Sequence, residues 1–80
     1  MKITLLFFGA AHDLTGVRQM PMELPAGTDT DSLRLLLAQR FAGINSNLQY
    51  AMAVNERHCA ASTVLKDGDV VAILPPVSGG

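Results

Sequence analysis

The chain predicts an α+β domain in which a mixed sheet of four to five strands carries one main helix on one face. Three observations support that expectation. Residues 2–9 (KITLLFFG) are rich in β-branched and aromatic side chains, as a strand requires. Leu33, Leu36, Leu37 and Phe41 recur at helical spacing. Val70–Leu74 (VVAIL) is again apolar and β-branched, and too short for a helix. One helix between strand segments is the pattern of a helix laid against a sheet.

Taken in order, residues 2–9 alternate, with Ile3, Leu5 and Phe7 on one face and Lys2, Thr4, Leu6 and Phe8 on the other. Asp13, Thr15 and Gly16 break the pattern and lead into a second strand over about 17–24. Pro21 lies inside it and has no amide to donate, so that strand belongs at a sheet edge. Pro25-Ala-Gly is a turn. Thr28-Asp-Thr-Asp-Ser offers N-cap side chains for a helix over about 31–42, with Gly43 as its stop. Tyr50–Val54 suits a third strand, Asn55-Glu56 a turn, and 58–60 a short fourth strand. Lys66-Asp-Gly-Asp is a tight turn before the last strand, 70–74. The order β-β-α-β-(β)-β is that of the β-grasp, or ubiquitin-like, architecture, in which the first and last strands pair in parallel at the sheet centre. The expected division is a domain over 1–74 and an extended tail over 75–80.

Composition narrows the function classes. Eighty residues make one domain with a small core, and four aromatic side chains with no Trp make that core aliphatic. Six basic residues against seven acidic ones leave a net charge of −1, which gives no electrostatic footprint for nucleic acid or an anionic membrane. Cys59 is the only cysteine, so no internal disulfide forms, and a reducing cytoplasm is the expected setting. Ile3–Ala11 behind Lys2 looks like a signal-peptide core, but it is too short to span a bilayer and its removal would take out a central strand.

Two features point to function. If Ile3, Leu5, Phe7, Val71 and Ile73 face the helix, then Leu6, Phe8, Ala72 and Leu74 face water on adjacent strands. A sheet face left open should be polar. This one is apolar, which marks a partner site. The second feature is the tail, Leu74-Pro-Pro-Val-Ser-Gly-Gly80. Pro75 and Pro76 end the strand and hold the chain extended. Val77 and Ser78 lead to Gly79 and Gly80, a tip without Cβ atoms that fits a narrow slot. The Gly80 carboxylate is then the group placed for chemistry. ATP activates such a carboxylate as an acyl-adenylate, from which a nucleophile displaces AMP.

These residues resemble the small subunit of molybdopterin synthase, a sulfur carrier of the ubiquitin-like and thiamine sulfur-carrier superfamily. The resemblance covers LLFFGAAHDLTG, AVNER and LKDGDVVAILPPVSGG, the last being the most specific. It implies that Gly80 is adenylated by a ubiquitin-activating-type adenylyltransferase that uses ATP. The adenylate becomes a thiocarboxylate, with sulfur supplied by a donor such as a cysteine desulfurase or a rhodanese. The thiocarboxylate then gives sulfur to cyclic pyranopterin monophosphate, building the dithiolene of molybdenum cofactor. Pro75, Pro76, Val77, Ser78 and Gly79 would thread into the large catalytic subunit, in a heterotetramer whose pocket lies on that subunit. The carrier would have no active site or bound cofactor of its own. Leu6, Phe8, Ala72 and Leu74 would form the partner interface, with His58 and Lys66 as further contacts. His58 stands where the family more often has an aliphatic residue, and Val70 where it commonly has Glu. The alternatives are a carrier for thiamine or thio-tRNA synthesis and a ubiquitin-like protein modifier. Thiamine carriers tend to be shorter and lack the Pro-Pro stem.

The remaining polar residues carry no such reading. Cys59, beside Ala60 and Ala61, reads as a small apolar side chain. His12, His58 and Cys59 lack the spacing of a metal site. The four Met residues read as core filler.

Overall fold

Alternation in the first segment becomes strand β1 (Lys2–Phe7), whose Ile3, Leu5 and Phe7 are buried while Lys2, Thr4 and Leu6 are not. The computed structural model describes residues 1–41, 44, 50–58 and 62–74. A short helix α1 (Ala10–Thr15) follows, where the sequence predicted only an irregular passage. Glycines make it possible at both ends. Gly9 (φ 55°) turns the chain off β1, and Gly16 (φ 72°) closes the helix in the left-handed region, its N–H donating to the His12 carbonyl at 2.7 Å. Ala11 is fully buried and seats the helix on the core.

Strand β2 (Gln19–Glu23) is shorter than the expected 17–24 and pairs antiparallel with β1. The Met1 and Leu24 main chains bond to each other, and Phe7 N–H donates to Arg18 O. Even-numbered residues of β2 therefore bond inward, and Pro21 turns its missing donor to the open edge. As Pro21 required, β2 is an edge strand in the order β2-β1-β5-β3-β4.

Helix α2 (Thr30–Arg40) starts one residue before and ends two residues short of the expected span. Asp29 caps it, its carboxylate accepting from Ser32 N–H at 2.8 Å. Those bonds to Ser32 hold the Asp29 pKa below its ordinary value. Leu33 and Leu37 are fully buried. Phe41, extended beyond the helix, meets Phe7 edge-on with ring centroids 5.7 Å apart. The expected stop, Gly43, lies outside the described residues. Residues 63–65 lace the helix start to the body: Thr30 N–H donates to Thr63 O, Thr63 N–H to Thr30 Oγ1, and Leu65 N–H to Thr28 O.

Strands β3 (Ala51–Val54), β4 (Arg57–His58) and β5 (Val70–Leu74) complete the sheet. β4 begins one residue earlier than predicted, and Cys59, Ala60 and Ala61 lie outside the described residues. β5 runs parallel to β1 and antiparallel to β3, giving the mixed sheet its β-grasp centre. Val71 and Ile73 join Ile3, Leu5, Leu33, Leu37, Ile44 and Met52 in one aliphatic core. Of the four methionines Met52 lies in that core, while Met1, Met20 and Met22 are partly buried and pack against it.

A groove on the open face of the sheet

Register decides what the open face presents. β1 and β5 pair Leu6 with Ala72, β5 and β3 pair Ala72 with Ala53, and β3 and β4 pair Ala53 with His58. These four side chains therefore stand in one row across the sheet, on the side away from α2. Leu74 and Phe8 lie one step further along the same face, and Phe8 N–H donates to Ile73 O at 3.1 Å. The result is a groove of about 560 Å³ lined by Leu6, Phe8, Ala53, Asn55, Glu56, His58, Val70, Ala72 and Leu74. Small Ala53 and Ala72 lie between larger neighbours, so the surface dips at the middle of the row. Phe8 is 46% exposed, a large aromatic surface left to water.

Leu6, Phe8, Ala72 and Leu74, picked out by alternation alone, are thus brought together. His58 joins them. Lys66 does not: it lines a second hollow of about 620 Å³ with Val54, Asn55, Arg57, His58, Thr63, Val64 and Asp69. Asn55 and His58 form the boundary between the two. A third, smaller hollow lies beyond Leu6 and Phe8 and is lined by His12, Arg18 and Gln19 among others. Ala53, Asn55, Glu56 and Val70 were not among the expected interface residues: Asn55 and Glu56 read as a turn, and Val70 as a strand residue where the family commonly has Glu. Strand pairing brings them in, and only the alternation of β3 and β5 hinted at it.

The rim at the β3–β4 hairpin is held by a polar tie. Asn55 (φ 50°) and Glu56 (φ 71°) both occupy the left-handed region, as a two-residue hairpin turn of the right twist demands. Asn55 Nδ2 donates to Asp69 Oδ1 at 2.9 Å, and Val70 N–H donates to Asn55 Oδ1 at 2.9 Å. Asp69 Oδ2 accepts from Lys66 N–H at 2.8 Å. Gly68 (φ 87°) makes the turn between them, and its N–H donates to Lys2 O. The hairpin and the entry to β5 are therefore one unit.

On the opposite face, Arg34 lies 4.7 Å from the Tyr50 ring centroid and donates to the Tyr50 carbonyl at 3.2 Å. Burial raises the Tyr50 pKa, and Arg34 opposes the rise. Among the described residues no cluster of His, Cys, Asp or Glu is arranged to hold a metal ion. No described helix is long and apolar enough to cross a membrane. Pro75, Pro76, Val77, Ser78, Gly79 and Gly80 lie outside the described residues.

Comparison with known proteins gives this groove its context. The ThiS family matches residues 5–80. The molybdopterin synthase sulfur carrier subunit of Mycobacterium tuberculosis is 37% identical over 82 residues, covering 100% of this chain and 99% of that protein. Among solved structures, a putative molybdopterin converting factor subunit 1 from Pyrococcus furiosus superposes with a TM-score of 0.87. It is 29% identical, over 95% of this chain and 98% of that one. A Helicobacter pylori structure, a complex of subunits 1 and 2 of molybdopterin-converting factor, matches with a TM-score of 0.71 and 33% identity over the whole of both chains. By sequence match along almost its full length and by a shared β-grasp architecture, the chain belongs to the ThiS family.

Proposed function

We propose that this chain is the sulfur-carrier subunit of a molybdopterin synthase. The Gly80 carboxylate attacks the α-phosphorus of ATP on a ubiquitin-activating-type adenylyltransferase, releasing pyrophosphate and leaving an acyl-adenylate. The outer sulfur of a persulfide on a cysteine desulfurase or a rhodanese displaces AMP, giving an acyl disulfide. A thiol reductant cleaves its S–S bond, itself ending as a disulfide, and the thiocarboxylate so released is the cargo. The large subunit takes in Pro75–Gly80 and supplies the pocket in which cyclic pyranopterin monophosphate accepts the sulfur. The carrier supplies no general base, because a thiocarboxylate is already anionic and nucleophilic at neutral pH. It binds no cofactor, acts in the cytoplasm, and engages neither nucleic acid nor membrane.

One observation supports this reading above the others. Leu74 both lines the apolar groove and is the residue from which Pro75–Gly80 continues. A partner seated on Leu6, Phe8, Ala72 and Leu74 therefore meets the tail at one end of its own contact surface. Six extended residues reach roughly 20 Å beyond that contact, enough to enter a pocket inside the partner. The names of the relatives agree with the reading, and the subunit 1 and 2 complex supports a large-subunit partner. Lys66, on the second hollow, contacts the partner only at the margin of this surface.

Reconstitution tests the proposal. With the large subunit, adenylyltransferase, ATP, a sulfur donor and a thiol reductant, the full chain is expected to convert cyclic pyranopterin monophosphate to molybdopterin. The chain lacking Gly79 and Gly80 is expected to melt at the same temperature and give no product. Product formation without the two glycines would refute the carrier role. Isopeptide adducts on lysate proteins, formed in place of product, would establish a protein modifier instead.

A further inference from the structure

We propose that Glu56 orients the partner on the open face, its carboxylate meeting a basic side chain of the large subunit at the end of the groove opposite the tail. This rests on the carrier reading above, because it needs the large subunit seated in the groove.

Backbone strain singles the residue out. Glu56 is the second central residue of the β3–β4 turn and sits at φ 71°. A two-residue hairpin turn of this hand favours Asn-Gly, because glycine enters the left-handed region at no steric cost. Asn55 fills the first position, but glutamate fills the second, where its Cβ is opposed. The strain persists because the turn is pinned. Asn55 N–H donates to Val70 O at 2.8 Å, and the Asn55 side chain bonds both Val70 N–H and the Asp69 carboxylate.

Nothing within the chain uses the side chain held there. Glu56 is exposed, and among the described residues its carboxylate takes part in no hydrogen bond or ion pair. It nevertheless lines the groove, as the one carboxylate among the described residues that do. Register fixes its place. Val54 pairs with Val71 and Asn55 lies beside Val70, so Glu56 stands at the Val70 end of β5, whereas the tail leaves from the Leu74 end. Four strand steps of about 3.3 Å put those ends roughly 13 Å apart. Apolar contact is non-directional, so Leu6, Phe8, Ala72 and Leu74 alone leave a partner free to slide along the groove or turn end for end. A charge at one end removes that freedom, because only one seating brings a cation to Glu56 and the partner's pocket to the tail. A partner that covered the carboxylate without a cation or donors would bear its desolvation uncompensated.

The test is the affinity of the full chain for the large subunit, measured by titration calorimetry at low and high salt, with melting temperatures alongside. Glu56→Gln keeps the shape and removes the charge. It is expected to raise Kd about tenfold at low salt and to flatten the salt dependence of the parent. Glu56→Gly relieves the strain, so it is expected to melt no lower than the parent and yet to bind about tenfold more weakly, which a merely structural role would not produce. Asp31→Asn makes the same change in net charge at an exposed site on α2 and is expected to bind as the parent does. At saturating carrier, the reconstituted synthase is expected to run at about half the parent's rate with Glu56→Gln, as the two end-for-end seatings become equally populated. Equal affinity of parent and Glu56→Gln would overturn the inference alone. So would tighter binding by Glu56→Gln, an equal loss in Asp31→Asn, or an unchanged rate at saturation. Absence of binding by the parent would overturn the carrier reading and this inference with it.

Discussion

Asp69 takes a hydrogen bond on each carboxylate oxygen while only 8% exposed, and one of those bonds comes from Asn55 on another turn. Asp69→Ala leaves the Asn55 amide and the Lys66 N–H without their acceptor. It is expected to lower unfolding free energy by about 1–3 kcal/mol in urea titration. Glu56 sits at φ 71°, a conformation that a side chain with a Cβ resists. Glu56→Gly relieves about 1–2 kcal/mol of that strain and gives back about 0.5–1 kcal/mol as entropy of the unfolded chain, so it is expected to raise stability by about 0.5–1 kcal/mol in the same titration. The residue types already showed that Asp67, Gly68 and Asp69 make a turn and that Asn55 makes another. The tie between the two turns did not show, because it joins residues 14 apart that only β3–β5 pairing brings together.

At the scale of elements, periodicity was informative wherever an element buries one face. Ile3, Leu5 and Phe7 in β1, Leu33 and Leu37 in α2, and Val71 and Ile73 in β5 are all nearly or fully buried. Helix α1 was illegible for the converse reason. It has six residues, one of them buried, while Leu14 is 51% exposed, so no apolar stripe announces it. Leu37→Ala removes a fully buried side chain from the centre of the helix contact and is expected to cost about 2–5 kcal/mol in the same titration.

The cap of α2 makes a pH prediction. Because Asp29 has a lowered pKa in the folded chain, its cap adds stability above the unfolded carboxylate value, and that stability is lost as pH falls through the folded value. Asp29→Asn keeps a capping oxygen but cannot titrate. The melting-temperature difference between parent and Asp29→Asn is therefore expected to shift against the parent on passing from neutral pH into the acid carboxylate range. A difference independent of pH would show that the cap is not the titrating contact.

The whole molecule is a small sheet with one face committed to its own core and the other held open. Alternation in β1 and β5 was enough to select Leu6, Phe8, Ala72 and Leu74, since a parallel central pair forces their side chains to one side. It was not enough to select Ala53 or the Asn55–Glu56 rim, which enter through the register of β3. Nor did it separate Lys66 from the groove, because a turn residue has no alternation to read. Phe8→Asp places a charge on the groove wall and is expected to weaken large-subunit binding at least tenfold with little change in melting temperature. The central claim, however, concerns the tail. The measurement that tests it most directly is the intact mass of the chain after incubation with ATP, the adenylyltransferase, a sulfur donor and a thiol reductant, with the modified peptide sequenced. The account predicts a gain equal to one oxygen replaced by sulfur, located at Gly80. An unchanged mass, with an enzyme active on a control carrier, would contradict it.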